Sequence, residues 1–321
     1  MKSLRLLFSV ILVCAAGLAC AQTYPTRPIR LIVPFPPGGG NDTVARAIAD
    51  QAGPALGQPI VVDNRPGAGG IIGADLAAKS APDGYTLFLG GVGSHAVNPN
   101  MHPKLSYDAV KDFAPITLVA SAPSVLAVHP ALPPRTIAEF TTYARANPGK
   151  LNYASNGNGS SSHIAAVMYE TMAGAKMVHV PYKGFGPALT DLMSGRVELM
   201  FNSIVAILPH IQSGKLRALA VTSKRRSSLL PDVPNLAEAG LPEYEAGSWY
   251  GILAPAGTPP AVIQRLHAEI TKAVQMPEVQ KRLAGEGADV IASTPQEFAA
   301  HIKAELARMR DVVRAGGMRL E

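Results

Sequence analysis

Short apolar runs alternate with helical patterns along this chain, and most runs open into a loop of glycines or small polar residues. Ile29 to Phe35 reads as a strand, Thr43 to Leu56 as an amphipathic helix, Ile60 to Asp63 as a strand and Ile71 to Lys79 as a helix. Asp83-Gly84 then turns the chain into a strand from Tyr85 to Leu89. The rhythm resumes with a helix from Arg135 to Asn147, stopped by Pro148-Gly149, and a strand from Leu151 to Ala154. Helices from Ser161 to Met172, Pro187 to Ser194 and Ile204 to Ser213 follow, separated by strands Met177 to Pro181 and Val197 to Phe201 and closed by strand Leu216 to Val221. This pattern predicts an α/β fold with mostly parallel sheets flanked by helices and joined by right-handed crossovers. After Pro231 the pattern becomes a strand, Trp249 to Ala254, and two helices, Pro260 to Val274 and Pro295 to Ala315, with no sheet of their own. The expected organisation is a discontinuous first lobe (residues 22–121 plus 223–321), a second lobe (residues 122–222) and a hinged cleft that closes on a ligand.

The first residues predict export. Lys2 and Arg5 precede an apolar run from Leu6 to Val13, and small residues fill Ala15 to Ala21, so residues 1–21 read as a signal peptide cleaved before Gln22. The run is too short to span a bilayer. A buried N-terminal helix is one alternative. Lipid attachment at Cys20 is another, although Gly17-Leu18-Ala19 lacks the usual leucine three positions upstream. Both cysteines, Cys14 and Cys20, lie in this segment, so the mature chain is expected to hold no disulfide and no cysteine metal site. Without the segment, 27 basic residues face 23 acidic ones, and the formal charge falls from +6 to +4. Lys224-Arg225-Arg226 is the only tight basic cluster and has no interleaved aromatics, the pattern of a solvated loop rather than a nucleic-acid surface. A mildly positive surface helps attract small anions.

Two loops carry the clearest ligand chemistry. Pro34-Phe35-Pro36-Pro37-Gly38-Gly39-Gly40-Asn41-Asp42 lies between a strand and a helix. Its glycines let backbone approach a ligand, Asn41 or Asp42 is expected to cap the helix, and a helix start presents free amides to an anion. The plainer reading is a tight turn with a cap. Ala154-Ser155-Asn156-Gly157-Asn158-Gly159-Ser160-Ser161-Ser162-His163 takes the same place in the other half, dense in hydroxyls and carboxamides. Matched polar loops, one per half, point to a cleft between them. His163 reads as a cap or packing residue before a catalyst. Val180 to Gly186, with Tyr182, Lys183 and Gly184, follows another strand, as do Asn202-Ser203 and Gly91-Val92-Gly93-Ser94-His95. Lys183 reads either as an anion partner or as an ordinary surface lysine, and Trp249-Tyr250 either walls the cleft or belongs to the core.

The chain has no G-x-x-x-x-G-K-[ST] phosphate loop, no G-x-S-x-G elbow and no H-E-x-x-H or H-x-x-E-H zinc pair. Gly67 to Gly73 misses the dinucleotide spacing because Ile72 stands where the third glycine belongs. His95 and His102 have no metal-ligand spacing. No catalytic residue, metal or cofactor is therefore expected.

These loops resemble one family. Tyr24 to Arg30 leading into Val33-Pro34-Phe35 and Gly38-Gly39, with Asp42 and Arg46, is similar to the Bug receptors, the substrate-binding proteins of tripartite tricarboxylate transporters. Val62 to Gly70, Ser80 to Thr86, His95 to Pro99, Lys111 to Phe113, Tyr153 to Ser155, His179 to Gly184, Leu208 to Ile211 and Ala254 to Pro259 extend the resemblance over essentially the whole mature chain. It implies a two-lobed type II periplasmic-binding-protein fold that captures a small carboxylate with backbone groups and water. The ligand-binding residues it implies in the first lobe are Phe35, Pro37, Gly38, Gly39, Asn41, Asp42 and Ser94. In the second they are Ser155, Asn156, Gly157, Gly159, Ser160, His163, Tyr182, Gly184 and Asn202. Many relatives carry an acidic residue where this chain has Asn202, which implies a preference here for acids without an amino group.

The leading expectation is a monomeric periplasmic receptor for a di- or tricarboxylate or aromatic acid, docking on permease subunits and binding no nucleic acid. The alternatives are an exported hydrolase using Ser160 or Ser161 with His163, and a sensor contacting a membrane signalling partner. A Gly39→Val change is expected to block binding without unfolding the chain.

Overall fold

Ile29–Val33 (β1) is buried along nearly its whole length, as a strand covered on both faces requires. In the computed structural model, which describes residues 24–223, 225–285 and 287–315, it pairs in parallel with Ile60–Asn64 (β2) and Thr86–Gly90 (β3). The export segment, with Cys14 and Cys20, and Lys224 of the basic cluster lie outside the described residues. Gly40–Leu56 (α1) packs Val44, Ala45, Ile48 and Ala52 into the core, and Gly57 ends it in the left-handed conformation that glycine adopts without penalty. Ile71–Ala78 (α2) precedes β3, and a wide turn over Gly93–Val97 leads into the short helix Asn98–Met101 (α3).

Phe113–Val128 (β4), 16 residues long, is the longest element that the periodicity misses. Pro115 and Pro123 argue against a central strand when read in sequence. The register shifts between Pro115 and Thr117, and β4 changes partners at Pro123–Ser124. Its first part pairs antiparallel with Gly247–Pro255 (β9), and its last residues pair with Leu199–Ser203 (β7) and Arg217–Val221 (β8). One strand thus belongs to both halves.

The second half holds Ile137–Ala146 (α4), Asn152–Ser155 (β5), Ser161–Ala173 (α5), Val178–Pro181 (β6), Phe185–Met193 (α6) and Ile204–Gln212 (α7). β5 pairs in parallel with β6 and β7. Strand order among the described residues is β2-β1-β3-β9-β4-β7-β5-β6, so the parallel triplets are joined by antiparallel strands rather than by one parallel sheet. After β8 the chain stays beside the second half: Leu236 N–H donates to Val221 O, and Tyr244 hydroxyl donates to Ala165 O. β9 then inserts between β3 and β4. Pro260–Val274 (α8) packs on α1, Pro277–Gly285 (α9) leads to Asp289–Val290 (β10) on β4, and Pro295–Ala315 (α10) covers the Gly93–Val97 turn and α3. No helix among the described residues is long and apolar enough to cross a membrane.

Candidate functional site

The loop after β1 is held from beneath. Gly39, extended at φ −96° and ψ 171°, is the N-cap of α1, so neither Asn41 nor Asp42 caps the helix as expected. Asp42 is the third helical residue and reaches back past the N-cap, accepting from Gly38 N–H at 3.1 Å and so tying the loop to the start of the helix. Its carboxylate also accepts from Arg46 Nε at 3.0 Å and Asn64 Nδ2 at 3.1 Å, while Asn64 donates to Phe35 O. Burial works to raise the Asp42 pKa, but the bonds from Arg46, Gly38 and Asn64 win and hold it below the usual carboxylate range. Replacing Asp42 with Ala removes both acceptor oxygens, and with them three hydrogen bonds, which leaves the Gly38 N–H without its partner. We expect a loss of about 3 kcal/mol by urea denaturation and weaker ligand binding, with Asp42→Asn losing less.

The loop after β5 rests on histidines. Ser160 caps α5 by accepting from His163 N–H, and its hydroxyl lies 2.7 Å from Gly157 O. His163 Nδ1 accepts from Gly159 N–H at 3.2 Å, and its ring stacks on His179 with centroids 3.9 Å apart. His179 Nε2 lies 2.6 Å from Ser155 Oγ. Burial pushes the His163 pKa down to about 3, with the His179 charge adding to the shift, and burial pushes His179 down to about 4. Both rings are therefore neutral supports at pH 7. Neither Ser160 nor Ser161 is joined to the His163 ring: Ser161 Oγ lies 3.0 Å from Ser248 Oγ, across the cleft.

Between these loops lies a small inner cavity of ≈ 30 Å³, about the room of one or two buried waters or a carboxylate head. Gly39, Gly40 and Asn41 at the start of α1 form one side, with Phe35 and Pro36. Asn156, Ser161, Phe185, Asn202 and Ser203 form the other, and Ser248 and Tyr250 from β9 close the base. Asn156 Nδ2 donates to Asn202 Oδ1 at 3.0 Å, and the Ser203 and Tyr250 hydroxyls are 2.9 Å apart. A Cβ built on Gly40 would stand 2.6 Å from the Tyr250 hydroxyl, so only glycine allows this approach. Outside it, sharing Phe35, Pro36 and Asn156, opens a larger cavity of ≈ 600 Å³ lined by Pro66 to Gly70, His102, Gly157, Asn158 and Pro181 to Gly184. No acidic side chain lines either cavity.

The structure thus brings Phe35, Gly39, Asn41, Asn156, Gly157, Tyr182, Gly184 and Asn202 to the cavity walls. Pro37 and Gly38 lie in the loop without lining either cavity, and Asp42, Ser155, Gly159, Ser160 and His163 lie behind the walls as supports. Ser94 is also set back. It is buried, with its hydroxyl 2.9 Å from His95 Nδ1 and bonded to Gly91. Sequence reasoning placed Gly40 and Phe185 in candidate loops without counting them among the ligand residues, passed over Ser248, and met Gly67 to Gly70 as a failed dinucleotide motif and as part of the family resemblance, not as part of the site. The available signal was position, because that segment follows a parallel strand just as the two chosen loops do. Of the aromatic pair, Tyr250 lines the inner cavity while Trp249 packs against Phe298 and His301.

Among the described residues, no group of three or more His, Cys, Asp or Glu side chains is placed to hold a metal ion. A profile described as "Tripartite tricarboxylate transporter family receptor" matches residues 44–318. Protein BugT of Bordetella pertussis (strain Tohama I) is 41% identical over 326 aligned positions, covering all of both chains. Among solved structures, an R. palustris protein with adipate superposes with a TM-score of 0.89 at 37% identity, covering 92% of this chain and 99% of that one. MatC from Rhodopseudomonas palustris with bound malate gives 0.86 at 37% identity, covering 90% of this chain and 100% of that one. The fold is that of a two-lobed periplasmic binding protein. With its glycine loop, its facing polar loop and a cavity at their meeting point, the chain belongs to the tripartite tricarboxylate transporter receptor family, as a Bug protein.

Proposed function

We propose that this protein captures a small non-amino dicarboxylate in the periplasm and delivers it to the permease of a tripartite tricarboxylate transporter. One observation carries the reading: the inner cavity is walled by the start of α1, by the Asn156 and Asn202 carboxamides and by serine and tyrosine hydroxyls, with no acidic group. Helix starts favour anions through free amides and the helix dipole. A ligand ammonium would find neutral Asn202 instead of a counter-charge. The adipate and malate complexes of relatives support the same ligand class. Export by the N-terminal segment agrees with this role. We place the lobe boundaries at Pro123–Ser124 and Ala246–Gly247, where β4 changes partners and β9 begins, rather than after residues 121 and 222. Bending there would open and close the cleft, and a ligand bridging both lobes would favour the closed form.

Isothermal calorimetry tests the reading. Malate or adipate should bind at least tenfold more tightly than aspartate or glutamate, and Asn202→Asp should narrow that gap. Tight aspartate or glutamate binding beside weak binding of non-amino dicarboxylates would overturn the proposal.

A further inference from the structure

The inner cavity is too small for a whole dicarboxylate, and the outer one is far larger than a short acid needs. At ≈ 600 Å³ the outer cavity falls in the range of about 300–1,000 Å³ typical of sites that enclose drug-sized ligands. Its walls are chiefly apolar, from Phe35, Pro36, Pro66 and Ala68 on the first lobe and Pro181 on the second. Lys183 is the one acid or base of permanent charge among its lining residues. The lysine is exposed, and among the described residues no carboxylate lies within ion-pair distance of it. His102 lines the same cavity from the first lobe, its imidazole held toward the neutral form by burial.

We infer that the outer cavity is a second subsite, in which Lys183 holds the distal carboxylate of a dicarboxylate whose two acid groups are separated by an extended apolar spacer. The inference rests on the proposed carboxylate-receptor function. One carboxylate enters the inner cavity, the spacer lies against Phe35, Pro36 and Pro66, and the far carboxylate meets the ammonium. An ammonium is a compact point charge on a flexible stem, so it can follow ligands of several lengths. The Lys183 charge comes from the second lobe and the apolar floor largely from the first, so such a ligand joins both lobes. A short acid reaches only the inner cavity and forgoes the Lys183 contact. The subsite therefore selects for ligand length as well as for acid count.

The test compares diacids with monoacids of equal chain length by calorimetry: succinate, adipate and suberate against butyrate, hexanoate and octanoate. Wild-type protein should prefer adipate or suberate over its monoacid by about tenfold or more, and succinate over butyrate by much less. Lys183→Met should remove the preference for the long diacids and leave the monoacid affinities unchanged, while Lys183→Arg keeps the charge and most of the preference. Unchanged adipate and suberate affinity in Lys183→Met would overturn the subsite. If monoacids bind while long diacids gain nothing, the subsite fails and the receptor reading survives. If wild-type protein binds neither malate nor any of the six acids, both fall.

Discussion

Gly40→Val should abolish carboxylate binding while the protein stays folded. The first added carbon would stand 2.6 Å from the Tyr250 hydroxyl and 3.4 Å from Ser203 Oγ, inside a cavity of ≈ 30 Å³. The branched carbons would occupy the space where we place the carboxylate. Tyr250 is almost wholly buried, so it has little room to retreat. Overpacking of this kind costs about 1–3 kcal/mol, which a chain of this size should survive, and removing a helical glycine returns part of it. Affinity for malate or adipate should fall at least a hundredfold, with a cooperative urea transition retained. Gly39 is the contrasting position. Its φ of −96° suits any residue, and an added Cβ would only touch Phe185 Cβ at 3.9 Å. Gly39→Ala should bind within about threefold of wild type, and the steric block expected of Gly39→Val belongs more strongly to its neighbour. Wild-type affinity in Gly40→Val would remove the inner cavity from the binding site.

Stability should fall steeply as the pH drops from 7 to 5, before most carboxylates titrate. Of the histidines whose folded pKa values burial pushes down, three are shifted furthest, His95 to about 3, His163 to about 3 and His179 to about 4. In the unfolded chain each titrates near 6.5. As the pH falls below 6.5 the unfolded chain takes up protons that the folded chain refuses, so the folded state loses ground until its own pKa is reached. At pH 5 the gap is about 1.5 units below the unfolded value, about 2 kcal/mol for each fully buried ring. His179 is partly exposed and contributes less, giving about 4–5 kcal/mol in all. The lowered pKa values of Asp42, Asp63 and Asp108 act in the same direction but below about pH 4, outside this window. Urea denaturation at pH 7 and pH 5 measures the loss, and His95→Phe should flatten it by about one histidine's share if the ring packs between Phe88 and Phe113. Equal stabilities at the two pH values would contradict the neutral-histidine account.

Those three histidines also mark where sequence reading stops. His163 was legible as a support rather than a catalyst because it sits one turn into a helix behind a serine cap. Its stacking on His179 was not, since the partner lies on another strand and no local pattern announces it. The same limit hid β4. Its prolines break the strand signature, yet a bulge absorbs Pro115, and Pro123 falls where one set of partners gives way to another.

The sequence by itself determined the alternation of strands and helices, the two polar loops at strand ends and the family. Each of these is a property of consecutive residues: periodicity, glycine content and motif spacing. Only the tertiary structure decided which loop residues reach the cavities and which hold them up. Asp42 and Gly40 stand two residues apart, yet one is turned back under its own loop and the other faces a tyrosine more than 200 residues away. The direction of a side chain at a helix start depends on what packs against it from distant strands. That is why the glycine loop could be found from the sequence, and the small inner cavity beside it could not.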